Sequence, residues 1–284
     1  MAIRIYTDSS SDLSPAQAAA RGMVVVPLNI VFGEREFTPY VDLSIPEFFQ
    51  KMRASKELPK TLQATPEMLE GIFRPVVEAG DDLLFVCIAD TMSGTYQNAL
   101  AARQMIGSDH IFIVNSTQVA FALGVLALEA ARLRDFGLCA CEIAAELERS
   151  KENVRLYASL ETLEYLRKGG RLSGAGALLG GMLGIKPICS IENGVVVSVA
   201  KERGLPRAFD WLVRRAVLDD IDFVRPHVLA QADTPANLAA LKEKLLPALA
   251  VPDGDFVELD IGPTVGVHAG PGTVGLAYFL KGAK

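Results

Sequence analysis

Three stretches concentrate hydroxyl groups where an apolar run stops: Thr7-Asp8-Ser9-Ser10-Ser11, Thr91-Met92-Ser93-Gly94-Thr95 and Asn115-Ser116-Thr117. Each sits at the start of an expected helix, where unpaired N–H groups and the helix dipole favour an anion. In an open parallel sheet, ligands sit beyond the carboxyl ends of the strands. Any one Ser or Thr at such a place reads as a helix cap. Three of them together point to a binding site. Farther along, His268-Ala269-Gly270-Pro271-Gly272 follows an apolar run. Its glycines let the backbone turn tightly or approach a ligand beside His268. Gly270, Gly272 and Gly275 match G-x-G-x-x-G in form, but nothing around them makes a dinucleotide-binding unit.

Other chemistries lack their residues. Ser93 lies in M-S-G-T, not in the G-x-S-x-G of a nucleophile elbow. Residues 181–186 have the wrong spacing for a phosphate-binding P-loop, and Pro187 stands where Ser or Thr is needed. No H-E-x-x-H occurs, and Asp8 and Asp12 read as turn caps. Cys87 and Cys189 lie in apolar runs, as buried small hydrophobes do. Cys139 and Cys141 form C-x-C with no histidine near, and His110, His227 and His268 are far apart, so no metal site is expected. Arg203 follows the apolar stretch 195–200. A guanidinium can grip a carboxylate or phosphate with two prongs, yet alone it reads as a solvated charge.

The net charge of −6 argues against a broad basic surface for nucleic acid. One local cluster, Arg167, Lys168 and Arg171, ends a predicted helix. Mean hydropathy is +0.27. The apolar stretch 172–185 is short and broken by glycines, so no membrane span is expected. Residues 174–183 read either as a tightly packed helix or as a mobile wall beside an apolar ligand. The N-terminal residues show no basic-then-apolar signal pattern, and a cytoplasmic location is the default.

The elements that must position these residues alternate in the first half. Strands are expected over 3–7, 23–32, 83–89 and 111–114. Helices are expected after Ser14, over 42–54, from Thr65 to residue 80, and over 93–106 and 119–135. This order implies an N-terminal α/β domain, 1–155, with a mostly parallel sheet between helices. Asn193-Gly194 between two apolar runs is the clearest hairpin signal. With helices over 206–216 and 235–249, and strands over 228–231, 257–261 and 265–268, it implies a C-terminal α+β domain, 156–284, with a mixed sheet.

Six segments, in order and over the whole length, resemble the DegV family of bacterial fatty-acid-binding proteins. They are Tyr6-Thr7-Asp8-Ser9-Ser10-Ser11-Asp12-Leu13, Thr61-Leu62-Gln63-Ala64-Thr65-Pro66, Ser93-Gly94-Thr95-Tyr96-Gln97-Asn98-Ala99, Leu163-Glu164-Tyr165-Leu166-Arg167-Lys168-Gly169-Gly170-Arg171, Ile185-Lys186-Pro187-Ile188 and His268-Ala269-Gly270-Pro271-Gly272. The resemblance implies a non-enzymatic carrier with two α/β domains and one long-chain fatty acid in an apolar tunnel between or within them. It implies a carboxylate held by Thr61, Ser93, Arg203 and His268, no cofactor beyond the fatty acid, and presentation of that acid to a fatty acid kinase that makes acyl phosphate for phospholipid synthesis. Leu62 and Ala64 depart from the family's T-S-Q-P pattern, which bears on the shape of the Thr61 loop. Two other readings compete. Ser93 and His268 would serve as nucleophile and base of an acyl-transfer enzyme, for which no third group to orient the imidazole is evident. A ligand-free regulatory protein would have no use for the polar clusters.

Overall fold

The computed structural model describes residues 2–55, 57–172 and 184–282. The stretch 174–183, read above as packed helix or mobile wall, lies outside the described residues.

The first sheet is wholly parallel, as the alternating pattern implies. Its strands are β1 (Ile3–Asp8), β2 (Met23–Val26), β6 (Asp82–Cys87) and β7 (Ile111–Asn115), in the order β2-β1-β6-β7. Pro27 follows β2 immediately, and β2 is an edge strand, where a missing N–H costs little. A small antiparallel sheet that the pattern did not suggest adds β3 (Ile30–Phe32), β4 (Arg35–Phe37) and β5 (Lys60–Thr61). Such short strands carry too few residues to show a period.

The helices start where their caps put them. Ser14 and Ser44 each make a capping box, before α1 (Pro15–Ala19) and α2 (Ile45–Ala54). Thr65 caps α3 (Pro66–Glu78). Then come α4 (Thr95–Ile106), α5 (Phe121–Asp135) and α6 (Ala140–Ser150). Helix α5 is buried almost all round, as a helix apolar on every face must be. It touches β1 and β6 on one side.

The second sheet is mixed. It contains β8 (Val154–Ser159), β9 (Ile185–Glu192), β10 (Val195–Arg203), β11 (Val228–Gln231), β12 (Val257–Asp260) and β13 (Val274–Phe279), in the order β10-β9-β8-β13-β11-β12. Helices α7 (Glu164–Lys168), α8 (Leu205–Leu218), α9 (Pro235–Leu249) and α10 (Pro263–Ala269) complete this part of the chain. The other side of α5 touches β8, β11 and β13. Asn193 and Gly194 both have positive φ, as the hairpin reading requires.

One expectation needs correction. Residues 265–268 are not a strand but most of α10, which begins at Pro263 after Gly262 and ends at Gly270. The helix is short and buried on every side through Val267, so no polar stripe marks its period. The strand expected there is β13, a few residues later. All six of its residues are buried, which removes the alternation that identifies a half-exposed strand. Gly275 lets it pack: an added Cβ would lie 2.6 Å from the Tyr157 carbonyl oxygen and 2.8 Å from the Phe121 ring.

A buried ion network ties the two sheets together beside α5. Glu129 is fully buried. Arg132 donates to it through Nε (2.6 Å) and Nη2 (2.8 Å). Arg225, which follows α8, donates to the same carboxylate (3.0 Å) and to Ser150 Oγ (2.9 Å). Its guanidinium also stacks 3.7 Å from the centre of the Phe279 ring on β13.

Candidate functional site

The three hydroxyl clusters have different fates. The first is mostly structural. Asp8 accepts from the N–H of Ser10 (2.9 Å) and of Ile88 (2.9 Å), joining the ends of β1 and β6. Ser9 Oγ accepts from the Leu28 N–H and lies 2.8 Å from Thr264 Oγ1 on α10. The Gly262 N–H donates to Asp12 Oδ1 (2.9 Å). Burial pushes both carboxyls up, that of Asp12 the further. The third cluster folds on itself: Ser116 Oγ donates to the Gln118 carbonyl and accepts from its N–H (both 3.0 Å). It is a local turn and not a helix cap, since α5 begins later, at Phe121 after Ala120, with no side-chain cap.

The second cluster opens on a cavity of about 310 Å³. Its apolar walls come from the second sheet, α5, α10 and the loops that follow strands of the first sheet, among them Leu156, Phe121, Val265, Leu28 and Ile88. Ser10 also faces it. Thr61, Ser93, Arg171 and His268 are among its polar lining: Thr61 meets His268, and Arg171 Nε donates to the Met92 carbonyl (3.4 Å), next to Ser93.

Each is held by a local rule. Thr61 ends β5, and its loop is tied to the start of α4. The Gly94 N–H donates to Gln63 Oε1 (3.0 Å), and Asn98 Nδ2 donates to the Ala64 carbonyl (2.7 Å). The loop therefore keeps its place despite Leu62 and Ala64. Ser93 Oγ accepts from the Thr95 N–H (3.3 Å) and lies 3.0 Å from Thr95 Oγ1. Arg171 follows α7 and donates to the Gly169 carbonyl (2.7 Å). His268 is in the last turn of α10, with Nε2 3.3 Å from Thr61 Oγ1. Gly169 makes room for the imidazole: a Cβ there would lie 2.2 Å from His268 Nδ1.

Arg203 is elsewhere. It is exposed at the end of β10 and is not among the residues that line the cavity. Val196 does line it, and seven residues of extended strand span roughly 23 Å. The cation at the cavity is Arg171, which the sequence marked only as part of a basic cluster. Its place after a helix and two glycines beside His268 is a tertiary fact with no local signature.

His268 Nδ1 is buried and has no partner among the described residues. Burial, and then the nearby Arg171 charge, push its pKa down to about 4. The ring is therefore neutral at pH 7. In the unfolded chain it takes up a proton near the ordinary value of about 6.5. Between those values the unfolded chain binds more protons, so this group costs stability as pH falls through that window. Asp8 and Asp12, raised by burial, act with the opposite sign. The expected result is that His268→Gln loses less stability than the parent between about pH 6.5 and 4, read from denaturant midpoints. Equal slopes in the two proteins would assign the effect elsewhere.

Among the described residues no group of His, Cys, Asp and Glu is placed to hold a metal ion, and no helix is long and apolar enough to cross a membrane.

Fold and cavity together define an α/β protein of two large sheets and one small one, with an apolar chamber under a small polar cluster. The chain belongs to the DegV family: the family model, described as "Uncharacterised protein, DegV family", matches residues 2–281. A DegV domain-containing protein of Deinococcus radiodurans is 34% identical over 279 residues, covering 98% of each chain. One from Caldanaerobacter subterraneus is 31% identical, covering 98% of this chain and 99% of its own. Among solved structures, a DegV family protein from Thermus thermophilus, described by its fatty acid binding, superposes with TM-score 0.88 at 30% identity, over 99% of this chain and 100% of its own. DegV of Bacillus subtilis, described as a fatty acid binding protein, superposes with TM-score 0.83 at 28% identity, with the same coverage.

Proposed function

We infer that this protein is a carrier that holds one long-chain fatty acid, with its hydrocarbon in the chamber and its carboxylate at Thr61, Ser93, Arg171 and His268. The observation that carries the reading is the joint occurrence of an apolar cavity and this cluster. A carboxylate is costly to bury unless several donors satisfy it. Two hydroxyls and a guanidinium supply them. The imidazole joins once it protonates, and its unpartnered Nδ1 then has an acceptor. Burying the chain contributes about 0.8 kcal/mol per methylene, on the order of 10 kcal/mol for a long acid. The solved relatives described by their fatty acid binding support the assignment.

Acyl-transfer chemistry has less support. The partner of His268 Nε2 is Thr61, and the Ser93 hydroxyl is engaged with Thr95. Denaturing the purified protein, extracting it and analysing the extract by mass spectrometry separates the readings. A stoichiometric free fatty acid is expected. An acyl group covalently attached to Ser93 would replace the carrier with an enzyme, and an empty extract that stays empty after incubation with fatty acids would remove both.

The carrier presents its acid to a fatty acid kinase, which converts the carboxylate to an acyl phosphate. Arg167 and Lys168 are exposed beside the cluster, in the last turn of α7. Lys168 pairs with Glu164 (2.7 Å). Arg167 lines no part of the cavity, so it tests the docking surface cleanly. Arg167→Glu should lower acyl phosphate formation at limiting carrier roughly tenfold, as loss of an interfacial charge does. Fatty acid affinity should stay unchanged. Full turnover in that variant would move the docking surface elsewhere.

A further inference from the structure

The four cysteines divide by exposure. Cys87 and Cys189 are buried. Burial pushes both thiols up, that of Cys189 to about 12. Neither meets a dissolved reagent as a thiolate. Cys139 and Cys141 are exposed. Cys139 is the N-cap of α6, and Cys141 lies in its first turn. A side chain at the N-cap folds back over that turn. The two Sγ atoms are 2.9 Å apart as a result. Ala140 between them is buried, as are Ile143 and Leu147 farther along, so the pair rides on an anchored turn. A disulfide needs a separation of about 2.0 Å, a further approach of roughly 1 Å.

We propose that Cys139 and Cys141 are a surface dithiol that exchanges with small-molecule disulfides and closes to an intrachain disulfide. The hydrogen bond to Cys141 holds the Cys139 thiol above its usual range, so Cys139 keeps its proton longer. Cys141, exposed inside the first turn of α6, where a helix N-terminus favours a thiolate, is the attacking group. It attacks one sulfur of a small disulfide, forms a mixed disulfide and releases one small thiolate, which takes a proton from water. Cys139 then gives its proton to solvent and attacks Cys141 Sγ. The Cys139–Cys141 bond forms, the mixed disulfide breaks and the second small thiolate leaves. The protein's two thiols are oxidised, and one small disulfide is reduced to two thiols.

The site is remote from the ligand. Phe121 at the start of α5 lines the cavity, and the dithiol follows the other end of that helix, on the order of 20 Å away. Oxidation therefore leaves fatty acid affinity unchanged, whatever the ligand chemistry of the cavity.

The test is to incubate the native full chain with oxidised glutathione, quench in acid, and read the intact mass and the peptide map. The expected product is lighter than the reduced protein by two hydrogens, carries no glutathione and maps to Cys139–Cys141. Cys139→Ser is expected to stall with one glutathione on Cys141. Stable glutathione adducts on the parent, disulfide-linked dimers, absence of reaction, or a Cys139→Ser variant that takes up no glutathione would each overturn the proposal.

Discussion

Ser93→Ala is expected to bind fatty acid about 10- to 150-fold more weakly than the parent. The warrant is the loss of one hydroxyl from a buried carboxylate, which costs roughly 1.5–3 kcal/mol because the anion is left short of a donor. Ser93 also caps locally, through the Thr95 N–H. A pure cap would show up as lost stability, about 1 kcal/mol, with no change in ligand preference. The two roles are separated by a fatty alcohol of the same chain length. The parent should prefer the acid, and Ser93→Ala should narrow that preference, while the alcohol's own affinity hardly moves. Isothermal titration with both ligands reads the difference. An unchanged preference would reduce Ser93 to a helix cap and leave the carboxylate to Thr61 and Arg171.

Glu129→Ala is expected to be the most destabilising single change described here, by about 3–5 kcal/mol, because it strands buried positive charge. Arg225 has an exposed fraction of only 13% for its side chain and would keep Glu146 at 3.7 Å as its remaining anion. Arg132 would lose both of its short bonds to the carboxylate. Guanidinium unfolding should show a lower midpoint with the slope preserved, since the same surface is exposed. Glu129→Gln keeps shape and acceptor oxygen and should lose less. A Glu129→Ala protein within 1 kcal/mol of the parent would mean that the arginines find water instead, and that the network does not hold the sheets.

The two sheets and most of their helices are legible in sequence because local signals agree there. Ser14-Pro15, Ser44 and Thr65-Pro66 announce helix starts, and Asn193-Gly194 announces the hairpin. Legibility fails where burial is complete. β13 is buried throughout and α10 almost so, and neither period appears in their residues. The candidate site divides the same way. Thr61, Ser93 and His268 sit in short motifs with distinctive neighbours, and the fold gathers them at one cavity. The cation at the cavity is not the one that the resemblance implies. Arg171 comes beside His268 through the packing of α7 against α10, and Arg203 is exposed at the far end of β10, a strand that also supplies one wall.

The position of β13 has a consequence for the order in which the molecule is made. It follows every other strand of its sheet in the chain, yet it lies between β8 and β11. A ribosome delivers β8 to β12 first, and until β13 arrives two interior strands present open edges to solvent. Such edges recruit any extended segment that comes near. His268 precedes β13 by only a few residues, so the polar cluster and the centre of the second sheet emerge together. Until then a growing chain has neither, and shielding of its two open edges matters most while β12 is out and β13 is not.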